Sequence, residues 1–126
     1  MTAYLLDTNI LYWSRFEANR LPISIRKLLE DGATPVAYSV IGPWEMAIKQ
    51  ARKKISISEE FYSGLPKLGF DCLDIKEAHV QALRGLPLLH HDPFDRMLVA
   101  QAKAEKMTLI TSDKRLAAYP IKTLIA

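Results

Sequence analysis

Five acids stand out by their type and by what surrounds them. Asp7 ends the apolar run of "AYLLDTN". Glu45 follows Trp44 in "PWEMAIKQARKK". Asp92 and Asp95 flank Pro93 and Phe94 in "HHDPFDRMLVAQA", and Asp113 closes "MTLITSD". Each alone has a plain structural reading. Asp92 fits a helix N-cap with Pro93 at the first helical position, and Asp95 falls where an acid complements the helix dipole. Asp7 and Asp113 fit caps as well. Glu45 reaches Lys49 at i, i+4, a pair worth about 0.2–0.5 kcal/mol. Gathered on one edge, however, carboxylates repel one another, and their natural partner is a hard divalent cation with oxygen ligands. Mg²⁺ or Mn²⁺ suits that donor set. Zn²⁺ does not, because the sequence has no Cys/His set at zinc-like spacing. Asp92 is read as a cap, and Asp7, Glu45, Asp95 and Asp113 as the candidate ligands.

The elements that must position these acids follow from the apolar pattern. Strand-like runs "AYLLD", "PVAYS", "FDCLDI", "MTLITSD" and "IKTLI" alternate with helical ones. The helices are "TNILYWSRF", "PISIRKLLED", "PWEMAIKQARKK", a short "SEEFYSGL" with Ser58 as N-cap, "KEAHVQALRGL" and "DPFDRMLVAQAKAEK". Such alternation implies crossover connections and a mostly parallel sheet covered on both faces. The expected fold is therefore α/β, a three-layer α/β/α sandwich with about five strands. Open sheets of this kind bind ligands beyond the carboxyl ends of their strands. Asp7, Glu45, Asp95 and Asp113 all fall just after a strand or just inside a helix, on that edge. Cys72, in "GFDCLDI", reads as a buried inert thiol. His79 reads as a surface or core residue, and His90 and His91 as loop residues.

Composition narrows the class. The 126 residues, 49% hydrophobic and 25% charged, describe one ordinary globular domain rather than a disordered tail. No apolar run approaches the roughly 20 residues needed to cross a bilayer. No secretory signal is visible, and the single cysteine cannot form an internal disulfide, so the expected compartment is the cytoplasm. Seventeen Lys and Arg face fourteen Asp and Glu. Setting aside the four candidate ligands leaves ten acids against those seventeen, an acidic pocket in a basic body, which suits a polyanion. The run "KQARKK", with Lys49, Arg52, Lys53 and Lys54, reads equally as a solvated helix face or as contacts to phosphate.

The blocks "LLDTNILYW", "WEMAIKQARKKISI", "HHDPFDRMLVAQA" and "LITSDKRL" together resemble, in order, the four motif blocks of the PIN domain. The resemblance is closest to the VapC-type toxins of bacterial type II toxin–antitoxin systems. It implies a metal-dependent endoribonuclease with metal-binding acids at Asp7, Glu45, Asp95 and Asp113. Asn9, Thr111 and Ser112 match small polar positions that help hold those acids. It also implies a cognate antitoxin and homodimerisation. Trp13, Phe16, Phe61, Tyr62 and Leu65 supply bulk that reads equally as subunit contact or as core. Gly42-Pro43, just before Trp44, departs from the plainer helix start usual in similar sequences.

Three other readings compete. A haloacid-dehalogenase-like phosphatase needs D-x-D after the first strand, and here the residues are Asp7-Thr8-Asn9. A receiver domain needs an acidic pair there, and this chain has one acid. A non-catalytic RNA- or protein-binding module would keep the acids for stability and bind RNA without cutting it.

Overall fold

The computed structural model describes residues 2–52 and 55–126. Its strands are β1 (Tyr4–Leu6), β2 (Val36–Ser39), β3 (Asp71–Leu73), β4 (Thr108–Thr111) and β5 (Thr123–Ile125). They form one sheet in the order β3-β2-β1-β4-β5, and every pairing is parallel. The helices are α1 (Thr8–Phe16), α2 (Ile23–Glu30), α3 (Ile41–Ala51), α4 (Glu59–Gly64), α5 (Glu77–Arg84) and α6 (Pro93–Glu105). Short 3-10 turns at Ala18–Arg20, Leu65–Lys67 and Lys114–Ala118 are too brief for periodicity to announce.

Alternation along β1 divides the core. Leu6 faces α1, α2 and α4 with Ile10, Ile25, Phe61 and Ile110. Leu5 faces α5 and α6 with Leu98, Val99, Leu109 and Leu116. Each such aliphatic, taken wholly out of water, contributes about 1.5–3 kcal/mol, so two full cores clamp the sheet and hold its edge in register. This is the expected three-layer arrangement. Among the described residues, no helix is long and apolar enough to cross a membrane.

Several expectations need correction. α3 starts at Ile41, two residues before Pro43. A Cβ on Gly42 would meet Leu11 Cδ2 at 3.3 Å, so glycine there permits the close approach of α1 and α3. Pro43 is tolerated because the first-turn N–H groups of a helix have no acceptor within it. Cys72 is exposed rather than buried, because β3 is an edge strand. Phe61 and Leu65 lie in the core, so they offer no subunit surface. Ser58 stands at the N-cap of α4 without a side-chain capping bond. Lys53 and Lys54 lie outside the described residues.

Candidate metal centre

The sheet order dictates where a site can form. From β1 the chain winds outward through β2 to β3, then returns to place β4 on the other side of β1. The crevice at the carboxyl ends of β1 and β4 is the topological switch point. Asp7 leaves β1 there and caps α1, its Oδ1 accepting from the Ile10 N–H at 2.9 Å. Its Oδ2 accepts from Thr111 Oγ1, at the end of β4, and the Ser112 backbone N–H also reaches it. The Thr111 hydroxyl in turn accepts from the Asp113 N–H at 3.0 Å. One threonine thus ties Asp7 to Asp113 across the two central strands.

The other acids arrive on helices. Glu45, 9% exposed, projects from α3. Its Oε1 accepts from Thr8 Oγ1 at 2.8 Å, and its Oε2 lies 3.1 Å from Lys49 Nζ. Asp95 lies in the first turn of α6, where Asp92 caps the helix by accepting from the N–H groups of Phe94 and Asp95 at 2.8 and 3.2 Å. His90 Nε2 is 3.0 Å from Asp95 Oδ2 and 3.7 Å from Asp113 Oδ2. Asp113 caps the last 3-10 turn and also accepts a bidentate guanidinium, with Arg115 Nη2 at 2.7 Å and Nε at 3.0 Å.

The electrostatics separate these acids into two kinds. Burial pushes the Asp7 carboxyl above its ordinary range, against the pull of its hydrogen bonds, and Glu45 adds repulsion. Burial pushes Asp95 up to about 6, with Asp92, Glu45 and Asp7 all repelling its charge and the His90 bond opposing them. Asp113 goes the other way, lowered chiefly by the hydrogen bond from Arg115. Asp7, Glu45 and Asp95 therefore feel one another as like charges, while Asp113 is already neutralised at the rim. One carboxylate oxygen each from Asp95 and Asp113 and a ring nitrogen of His90 lie within 4.8 Å of one another, a spacing open to a shared cation.

Sequence reading located the four acids but missed part of what holds them. Thr8, not Asn9, steadies Glu45. Asn9 is exposed, and among the described residues no bond from it to an acid is recorded. It lines a cleft of about 360 Å³ beside the acids with Tyr12, Lys49 and Ser56. His90 lies in the loop before α6, as expected, and from there its Nε2 approaches two acids, Asp95 and Asp113. Its only sequence signal was closeness to "DPFD". Arg115, two residues after Asp113, was legible as an Asx-type neighbour and was not singled out. Lys49 reaches the site through Glu45, whereas Arg52 is exposed at the far end of α3. His79 is a core residue, fully buried, with Nε2 2.7 Å from Glu105 Oε2 and Nδ1 accepting from the Lys76 N–H at 3.0 Å. A larger cavity, about 440 Å³, opens between the end of α6 and β5, and it is lined by Lys103, Lys106 and Lys122 with no acid. It lies away from the carboxyl ends of the strands and shares nothing with the acid cluster.

Comparison with known proteins identifies the family and the fold. The sequence profile of the PIN domain matches residues 4–122. Ribonuclease VapC22 of Mycobacterium tuberculosis is 27% identical over 122 residues, covering 94% of this chain and 93% of that protein. Among solved structures, VapBC2 from Rickettsia felis bound to a DNA fragment of its promoter superposes with a TM-score of 0.71 at 20% identity, covering 99% of each chain. DNA-bound VapBC from Salmonella typhimurium gives 0.68 at 18% identity, covering 99% of this chain and 98% of that one.

Proposed function

The chain belongs to the PIN domain family, and on that footing we propose that it is a divalent-metal-dependent endoribonuclease, the toxin of a type II toxin–antitoxin pair. The observation that carries this reading is the crowding of Asp7, Glu45 and Asp95 at the β1–β4 crevice. Burial raises Asp7 and Asp95 there, and like charges add to the rise. A fold keeps such an arrangement at a disadvantage unless a cation relieves it. The donor set fits Mg²⁺ or Mn²⁺, with Asp7, Glu45, Asp95 and Asp113 as the ligands of one or two ions. The nearby His90 nitrogen leans the choice toward Mn²⁺, since imidazole suits transition metals better than Mg²⁺.

Bound there, a divalent ion supplies charge neutralisation at the scissile phosphate and lowers the pKa of water. The protein's own groups do the rest. Thr111, Ser112 and Ile10 hold Asp7 from three directions, so its carboxylate is kept in one orientation at the crevice. Thr8 and Lys49 fix the two oxygens of Glu45, which is placed to orient an attacking water. His90 places Nε2 between Asp95 and Asp113. Lys49 and Arg115 bring positive charge to the mouth of an otherwise acidic crevice, where a phosphate backbone must approach. With the 3′-oxygen as leaving group, the products carry 5′-phosphate and 3′-hydroxyl ends.

The VapC22 relative supports RNA as substrate, and the VapBC structures support a cognate antitoxin as partner. Homodimerisation and a cytoplasmic site of action belong to the same reading. With Phe61 and Leu65 in the core, Phe16 and the outer parts of Trp13 and Tyr62 remain as candidate subunit contacts. The test is cleavage of structured RNA by the purified chain with Mg²⁺ or Mn²⁺, followed by analysis of the new ends. Chelation is expected to stop it. Cyclic-phosphate ends, or activity that survives exhaustive chelation, would contradict the mechanism. RNA binding without any cleavage would favour the non-catalytic module.

A further inference from the structure

The two tryptophans of the chain are placed very differently. Trp13, on α1, has the Arg20 guanidinium 4.2 Å over its ring, so one of its faces is occupied. Trp44, on α3, is 51% exposed. Its intramolecular ring contact is with Phe94, edge to face at 88° with centroids 5.0 Å apart. Among the described residues no other ring or guanidinium covers it. The Phe94 contact pins the indole while leaving ring surface open.

Its position ties that open face to the acids. Trp44 precedes Glu45, and Phe94 precedes Asp95. Successive helix residues point about 100° apart, so where Glu45 turns into the crevice, Trp44 turns out onto its rim. The Trp44–Phe94 pair therefore bridges the same two helices, α3 and α6, that deliver Glu45 and Asp95. A half-exposed indole is not needed there to cover the core, which is closed by Ile41 and Met46 on the same helix. Aromatic faces of this kind take unpaired nucleobases, whose flat surfaces stack without regard to sequence. A base inside a duplex has both faces covered by its neighbours and cannot use the platform.

We infer that Trp44 is a stacking platform for an unpaired base of the substrate, next to the phosphate that the acids would hold through a cation. The inference rests on the ribonuclease reading of the neighbouring acids. It adds a binding residue to that reading.

The test uses the protein loaded with Ca²⁺, which takes oxygen ligands but demands a larger and looser geometry than Mg²⁺, so that the acids are neutralised and binding is read apart from cleavage. In a Trp13→Phe background, Trp44 fluorescence is followed as a short single-stranded oligoadenylate is added, then an abasic strand of the same length and charge, then a duplex. The expected result is quenching by the oligoadenylate and little by the other two. Trp44→Ala should weaken oligoadenylate binding, read by anisotropy of a labelled strand, about 5- to 100-fold. Trp44→Phe, which keeps an aromatic ring, should fall between. Circular dichroism and light scattering confirm that fold and oligomeric state are unchanged. Equal quenching by the abasic strand, or oligoadenylate binding unaffected in both variants, overturns the stacking inference alone. A change in oligomeric state without a change in RNA binding assigns the rim to a second copy and likewise overturns it. Failure of the wild-type protein to bind any RNA overturns the ribonuclease reading and the stacking with it.

Discussion

Histidine–carboxylate pairs sit at the two ends of α6. At its C-terminal end His79 meets Glu105 at 2.7 Å; at its N-terminal end His90 meets Asp95 at 3.0 Å. The chemical pair is the same, and the surroundings give it opposite work. His79 is fully buried and uses both ring nitrogens, one on Glu105 and one on the Lys76 N–H at the start of α5. A single acid faces a single imidazole, and the pair joins α5 to α6. Around His90 the acids outnumber the histidine. Asp113 lies within 3.7 Å of the same nitrogen, and Asp92, Glu45 and Asp7 all repel the Asp95 charge. Asp95 is raised even though it stands at a helix N-terminus, where the dipole favours an anion. Burial and like charges outweigh that dipole. A balanced pair fastens two helices, whereas a pair with acids in excess is one corner of a cation site.

The sharpest way to break this comparison is to remove each histidine. His79→Leu should cost about 2–4 kcal/mol of stability, from lost packing and from leaving Glu105 and the Lys76 N–H without a partner. Denaturant unfolding should find that loss equally with and without Mn²⁺. His90→Ala should change metal-free stability by about 1 kcal/mol or less, while reducing the stabilisation that Mn²⁺ confers. If the two variants behave alike, the division between fastening and cation binding is wrong.

A smaller effect is set by pH. Asp95 holds its proton up to about pH 6 in the folded chain, against an ordinary 3.8. Between those values the folded state binds more protons than the unfolded one, so stability falls as pH rises from one to the other and is level above. Allowing for solvent screening, Asp95 should remove about 1–2 kcal/mol across that window. Asp7 acts in the same direction. Urea titrations of metal-free protein at a series of pH values should show this decline, and Asp95→Asn should flatten it. A wild-type chain that grows more stable over the same window would contradict the electrostatic account of the crevice.

Asp92 gives the finest discrimination. As a cap it should lose about 1 kcal/mol on replacement by Ala and only a few tenths on replacement by Asn, which caps about as well. Asp92→Asn should keep most of the cleavage activity. Loss of cleavage with no loss of stability would move Asp92 from the cap to the chemistry, one helical turn from Asp95.

Much of this was legible in the chain because it depends on local pattern. Alternating apolar periods mark strands and helices, and the rule for parallel sheets brings Asp7, Glu45, Asp95 and Asp113 to one edge before any coordinates. The same rule does not give strand order, so Cys72 read as buried when β3 is in fact an edge. Gly42 was a puzzle in sequence because its reason is the closeness of Leu11 on another helix. Thr8 and His90 were missed for a related reason. Thr8 meets Glu45 across 37 residues, and His90 reaches Asp113 only through the path of its loop. Such contacts follow from packing and rotamers, which spacing does not encode.

The central claim is that Asp7 and Asp95 are crowded because they hold a cation. It is tested most directly by thermal unfolding of the wild-type chain, Asp7→Asn and Asp95→Asn with and without Mn²⁺, with RNA cleavage measured on the same samples. Asn removes a charge while keeping shape; at position 7 it also keeps the Ile10 cap but turns an NH2 donor toward Thr111 and the Ser112 N–H, where the carboxylate accepted. The account predicts that Asp95→Asn is as stable as the wild type or more so without metal, and that both variants gain little stability from Mn²⁺ and lose nearly all cleavage. Variants that lose stability without metal, respond to Mn²⁺ as the wild type does and cleave at its rate would contradict it.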